Sequence, residues 1–182
     1  MTLSLHELPH EILEHICSFL DLPEDLLSFG LTCRFLCNFV IPYQVQFRHI
    51  RCDPRRRDVV EALMERPTLG HAVRRLELVS NEASVWPTRP LLPRSLAPSS
   101  ASKMRKALDR AFVITDVMPR LMYSLPLLKR FVWVPTQIKR NREAVPEVVM
   151  SVASCPFLEE LELSYDEAPW FVGKQFSIVA YP

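Results

Sequence analysis

Between Leu8 and Leu20 the apolar positions Leu8, Ile12, Leu13, Ile16, Phe19 and Leu20 recur at helical spacing. At about 100° per residue they share one arc of roughly 140°, with His10, Glu11, Glu14, His15 and Ser18 opposite. Pro9 suits the first helical position, Glu11 the first turn, and Leu22 with Pro23 closes the segment, so a helix is predicted over about residues 9–20. Pro23, Glu24 and Asp25 open a second helix that runs through Leu26, Leu27 and Phe29 to Gly30. A third, over residues 31–40, carries one stripe of Leu31, Phe35 and Phe39 and another of Cys33, Leu36, Cys37 and Val40. Only Arg34 and Asn38 give it a clearly polar edge, so it needs cover on two sides. Three short helices cannot supply that cover alone, because units below about 40 residues rarely fold unaided. The rest of the chain or another protein must provide it.

After Pro42 the period changes to two, and alternation over residues 43–52 predicts a strand. A unit then recurs: a helical stretch, a proline, and a short strand with apolar residues two apart. Its copies run from Val59 through Pro67 to Leu78, from Val117 through Pro126 to Trp133, and from Val148 through Pro156 to Leu163. Aligning Leu76, Phe131 and Leu161 leaves about 30 residues between the last two, near the period of a leucine-rich array. The longer first interval holds an insertion, residues 86–103, where Pro87, Pro90, Pro93 and Pro98 mix with Ser and Ala; it reads as a flexible surface loop. Each unit has one apolar face that only a neighbour can bury, so the units must stack. The last strand would leave an apolar edge, for which the apolar tail from Trp170 to Tyr181 is the candidate cap.

Composition narrows the function. With 22 Lys and Arg against 21 Asp and Glu, the formal charge of +1 leaves no electrostatic excess for a phosphate backbone. No apolar run approaches the roughly 18 residues of a membrane span, and the N-terminus lacks the pattern of a secretory signal. An intracellular protein without nucleic-acid or membrane partners is expected. Five cysteines with no C-x-x-C spacing read as reduced, mostly buried thiols. Sixteen prolines against three glycines imply short elements with stiff joints, and the three glycines cannot assemble a phosphate-cradling loop.

Local chemistry offers little else. His10 and His15 flank Glu11 and Glu14 but stand five residues apart, whereas a zinc-protease helix needs its histidines at i and i+4. A solvated polar face is the expectation, with no metal. Cys33 and Cys37 have the i, i+4 spacing but no neighbouring base, so packing is expected. Arg55, Arg56 and Arg57, and the cluster Lys139, Arg140 and Arg142, are each followed by acids and read as solvated helix starts. No catalytic residue and no cofactor is expected.

The opening Leu8, Pro9, Glu11, Ile12, Leu13, the central Leu22, Pro23, Asp25, Leu26, Leu27 and the later Cys33, Arg34 occur in the register of the F-box, which residues 5–45 closely resemble. The body resembles the degenerate leucine-rich region common in fungal F-box proteins. The resemblance implies an F-box domain at residues 1–45, a leucine-rich-repeat-like region at 46–168 and a tail at 169–182. The fold class is then α+β or α/β repeat, a three-helix head followed by a short, irregular helix-strand array. It further implies docking on the small Skp adaptor through Leu8, Pro9, Leu13, Ile16, Leu20, Leu31 and Phe35, and through that adaptor a link to a cullin. The chain would be a non-enzymatic, substrate-selecting subunit of a ubiquitin ligase, in cytoplasm or nucleus, presenting a protein target whose binding residues the sequence leaves open. The alternative is an F-box scaffold or decoy acting outside the ligase.

Overall fold

The computed structural model describes residues 5–80, 90–97, 113–134, 145–164 and 175–179. A 3-10 turn at Leu5–Glu7 leads into α1 (His10–Ser18), α2 (Pro23–Gly30) and α3 (Arg34–Val40). Helix α1 begins after Pro9, and α2 has Pro23 in its first turn followed by Glu24 and Asp25, whose charges favour that end. Helix α3 starts three residues later than the stripes of apolar residues imply, because Cys33 is extended and its Sγ accepts the amide of Leu36 at 3.5 Å as an N-cap. Cys17, Leu26 and Val40 form the centre of this head, with Leu20, Phe29, Phe39 and Val45 packed around them.

The strand expected over residues 43–52 is confined to β1 (His49–Cys52). A five-residue π turn at Ile41–Val45 and a helical turn α4 (Gln46–Arg48) precede it. Phe47 and Arg48 are both buried, which an alternating half-exposed strand does not allow. Then come α5 (Arg57–Glu65), α6 (Pro67–Ala72) and β2 (Arg75–Val79), α7 (Ile114–Tyr123) and β3 (Arg130–Val134), and α8 (Val145–Ala153) and β4 (Glu160–Ser164); β5 (Gln175–Val179) ends the described chain.

The strands form one sheet in the order β1-β2-β3-β4-β5, parallel at its first three pairings and antiparallel at the last. Parallel neighbours need long crossovers, and α5 to α8 lie within those connections. The register places Ile50, Leu76, Phe131 and Leu161 in one row and Cys52, Leu78, Trp133 and Leu163 in the next. All eight are buried in the main core with Val59, Leu63, Met118, Leu121, Val148 and Val152 from the helices. Each such side chain contributes roughly 1.5–3 kcal/mol, so these two rows supply much of what holds the body together. Packing is close enough to demand glycine at one point: a Cβ on Gly70 would lie 2.0 Å from the backbone oxygen of Ser124, joining α6 to the end of α7.

The outer sides of β1 and β4 are both paired. Leu91 exchanges backbone hydrogen bonds with Arg51 at 2.8 and 3.0 Å along β1; it belongs to residues 90–97, the described piece of the proline-rich insertion, whose flanks at 86–89 and 98–103 lie outside the described residues. At the other edge β5 pairs Ile178 with Leu161 and Phe176 with Leu163, so part of the tail from Trp170 to Tyr181 becomes the fifth strand. The arginine run differs from a solvated helix start. Arg56 is 3% exposed, bound to Asp58 at 2.7 Å and donating to the Leu96 carbonyl at 3.0 Å, while Arg55 pairs with Asp53 and Arg57 with Glu61. The cluster at 139–142 lies outside the described residues.

The opposite sheet face is polar. His49, Arg75, Arg130 and Glu160 form one row and Arg51, Glu77, Val132 and Glu162 the next. Glu77 is buried and accepts from His49 at 2.8 Å and from Arg51, with Arg75 also against it. Burial alone would push its carboxyl up, but the hydrogen bonds from His49 and Arg51 and the charges of His49 and Arg75 prevail and hold it at about 2. A carboxyl depressed from 4.5 contributes stability that is complete above the ordinary value and lost as pH falls toward the depressed one. The expected contribution is of order 3 kcal/mol. Unfolding in urea should therefore show wild-type stability falling between about pH 4.5 and 2, while Glu77→Gln lacks that component; identical pH profiles would refute the assignment.

Candidate docking face and the joint behind it

The apolar arc of α1 divides in two. Leu13 and Cys17 are fully buried and Leu20 packs beside them, whereas Ile12 is 47% and Phe19 73% exposed. Helical rotation sets Leu8, Ile12, Ile16 and Phe19 within about 80° of one another, on the outer side of that inner group. Leu8 and Ile16 are half-buried and Pro9 is exposed. The head therefore carries an apolar stripe along α1 that the described chain does not cover.

The remaining residues of the expected docking set fall elsewhere. Leu31 is 64% exposed at the end of α2, near the exposed Leu27. Phe35 lies on the other flank of α1, with its ring centroid 6.2 Å from His10, which also meets Phe39 edge-on at 5.2 Å. A cleft of about 410 Å³ opens there, lined by His10, Glu14, Phe35, Asn38 and Tyr43. Leu13 faces the interior of the head and presents nothing outward. Ile12 and Phe19, absent from the expected set, have the exposure that Leu13 lacks.

His15 stacks edge-on with Phe19 at 4.9 Å, so the two histidines of α1 are engaged with different rings. Among the described residues no group of three His, Cys, Asp or Glu side chains gathers to hold a metal ion. All five cysteines are unpaired. Burial pushes the Cys52 thiol up to about 12 and that of Cys155 to about 11, which keeps both protonated and poorly nucleophilic near neutral pH. No helix among the described residues is long and apolar enough to cross a membrane.

Sequence reasoning missed a second feature. The last carbonyls of any helix lack intrahelical partners and carry the negative end of its dipole. At the end of α1 they are met by cations from the body. Arg48, 1% exposed, donates to the carbonyls of Cys17 and Leu20, the latter at 2.6 Å, and to that of Ala72 in α6 at 3.2 Å. Arg74 donates to the Ser18 carbonyl at 3.4 Å and lies 3.9 Å from Asp21, which also accepts from Lys129 at 2.5 Å.

Arg48, Arg74 and Lys129 occupy the same place in successive units, each one residue before its strand. Their backbones are linked in turn: Arg74 donates to the Arg48 carbonyl at 2.9 Å and Lys129 to the Arg74 carbonyl at 2.8 Å. Burial lowers the basicity of both guanidiniums, that of Arg74 to about 10 with help from the charge of Arg48, a value at which Arg74 remains cationic at neutral pH. The signal was present in the sequence as a basic residue ahead of each of the first three strands, but its target lies up to 108 residues away.

A larger cleft, about 600 Å³, runs beside this joint. Thr68, Leu127 and Phe157 line it from the body, each directly after a proline, and Glu11, Glu14 and Phe19 line it from α1.

No curated protein and no solved structure matches the chain. The family model described as F-box-like matches residues 5–43, the segment that carries the uncovered stripe and the gripped helix, and the chain thus bears an F-box-like domain at its N-terminus.

Proposed function

We infer that the chain is a substrate-recognition subunit of a ubiquitin ligase, docking on a Skp-type adaptor through its head and presenting a protein target from its body. The carrying observation is the coincidence of the F-box-like match with an exposed apolar stripe on α1. Helical surfaces of this kind bind by burying apolar anchors in a partner. Leu8, Pro9, Ile12, Ile16 and Phe19 are the anchors this reading favours, with Leu31 and Phe35 flanking them. The body, read as a short leucine-rich-repeat-like array, offers the polar sheet face around Arg75, Arg130 and Glu160 as the target surface. Transfer chemistry belongs to the conjugating enzyme that a cullin recruits; this chain is not an enzyme and adds proximity and orientation of a bound lysine. The setting is intracellular.

Purification of the tagged chain from cells that also express a Skp-type adaptor and a cullin tests this. Recovery of both is the expected result. Adaptor without cullin would favour a scaffold or decoy outside the ligase, and recovery of neither would refute docking.

A further inference from the structure

The geometry points to Arg48 as a positioning residue for docking, so that the body completes the surface which the head presents. This rests on the docking reading above. A helix as short as α1 has little stability of its own, and its direction is set by what holds it. Its inner side packs through Cys17 against Leu26 and Val40, while its C-terminal end is held by Arg48 and Arg74 and the Asp21 just beyond it by Lys129, three equivalent cations of successive units. Arg48 is the member that spans the joint, binding two carbonyls beyond the helix centre and one on α6. The stripe extends away from this grip toward Leu8, roughly 15 Å along the helix. A tilt of about 15° at the grip would move Leu8 by about 4 Å, enough to misplace an anchor.

None of the three cations lies within residues 5–43, which the family model matches. The docking unit of this chain therefore extends past the matched segment to the residues that precede β1, β2 and β3, and the orientation of the head is dictated by the array.

The test uses the full chain. Arg48→Met removes the donors at similar length, and Arg57→Met, at the exposed Arg57–Glu61 pair on α5, is the control. Affinity for the purified adaptor is measured together with amide hydrogen exchange in α1 and in β2 and β3. Arg48→Met should bind at least tenfold more weakly, with faster exchange in α1 and unchanged protection in the two strands, while the control matches wild type. Unchanged affinity, or a uniform loss of protection across head and sheet, would overturn the inference. If Arg48→Met does not fold, Arg74→Met should give a smaller loss of affinity with the same confinement to α1, and no change in either readout would refute it. If wild type itself fails to bind the adaptor, the docking reading falls, whereas exchange in α1 against the strands still decides whether Arg48 positions the helix.

Discussion

Ile12→Asp is expected to abolish adaptor binding and leave the chain folded. Ile12 is 47% exposed on the outer stripe of α1, so in the free chain the new carboxylate stays hydrated and costs within about 0.5 kcal/mol. In the complex the same group is enclosed by the partner without a counter-charge, which costs several kcal/mol. Since about 1.4 kcal/mol is tenfold in affinity, a loss of at least 100-fold follows. Ile16→Asp should act in the same direction, though Ile16 is half-buried and part of its effect will fall on the head itself. Leu13→Asp separates the two cases: fully buried, it should unfold the head before any partner is added. Calorimetric titration with purified adaptor, beside circular dichroism of each variant, reads both quantities. A folded Ile12→Asp chain that binds at wild-type affinity would remove α1 from the interface.

Phe131→Ala should destabilise the body by about 3–5 kcal/mol. Its ring is completely buried near the start of β3, in register with Leu76 on one side and Leu161 on the other. Removing it opens a cavity between two neighbouring units at once. In a stacked array each interface supports the next, so amide protection should fall in β2 and β4 as well as in β3. Against a typical domain stability of 5–15 kcal/mol, the loss is large enough to expose the chain to proteolysis. Met150→Ala is the matched control, because Met150 is 73% exposed on α8 and its truncation should change stability by no more than about 0.5 kcal/mol. Urea unfolding of the three proteins decides the matter; equal midpoints would mean that the apolar row does not carry the sheet.

Local signals in the sequence determined the elements with strong periodicity and clear punctuation. Helix α2 was legible as Pro23 to Gly30 from its proline, its two acids and its closing glycine. The strand cores were legible too, and Leu76, Phe131 and Leu161, aligned on the sequence alone, are register partners across three strands. Their period of two fixes which side chains share a face, whatever lies beyond. The width of the apolar arc on α1 was equally plain.

Tertiary structure decided the rest, because those outcomes depend on groups far away in the chain. The wheel of α1 gave one arc, but only the closed fold buries Leu13 and leaves Ile12 outside. Alternation over residues 43–52 resembled a strand; the burial of Arg48 beneath carbonyls 28 and 31 residues earlier instead holds the first part as a turn. The run at Arg55, Arg56 and Arg57 looked solvated until the Leu96 carbonyl, 40 residues on, gave the buried Arg56 a partner. Backbone pairing of β5 with β4 likewise follows from no local pattern. Periodicity reports which side of an element is apolar, a property of a few neighbouring residues. What covers that side, and where a buried charge finds its partner, is fixed only when distant segments close on one another.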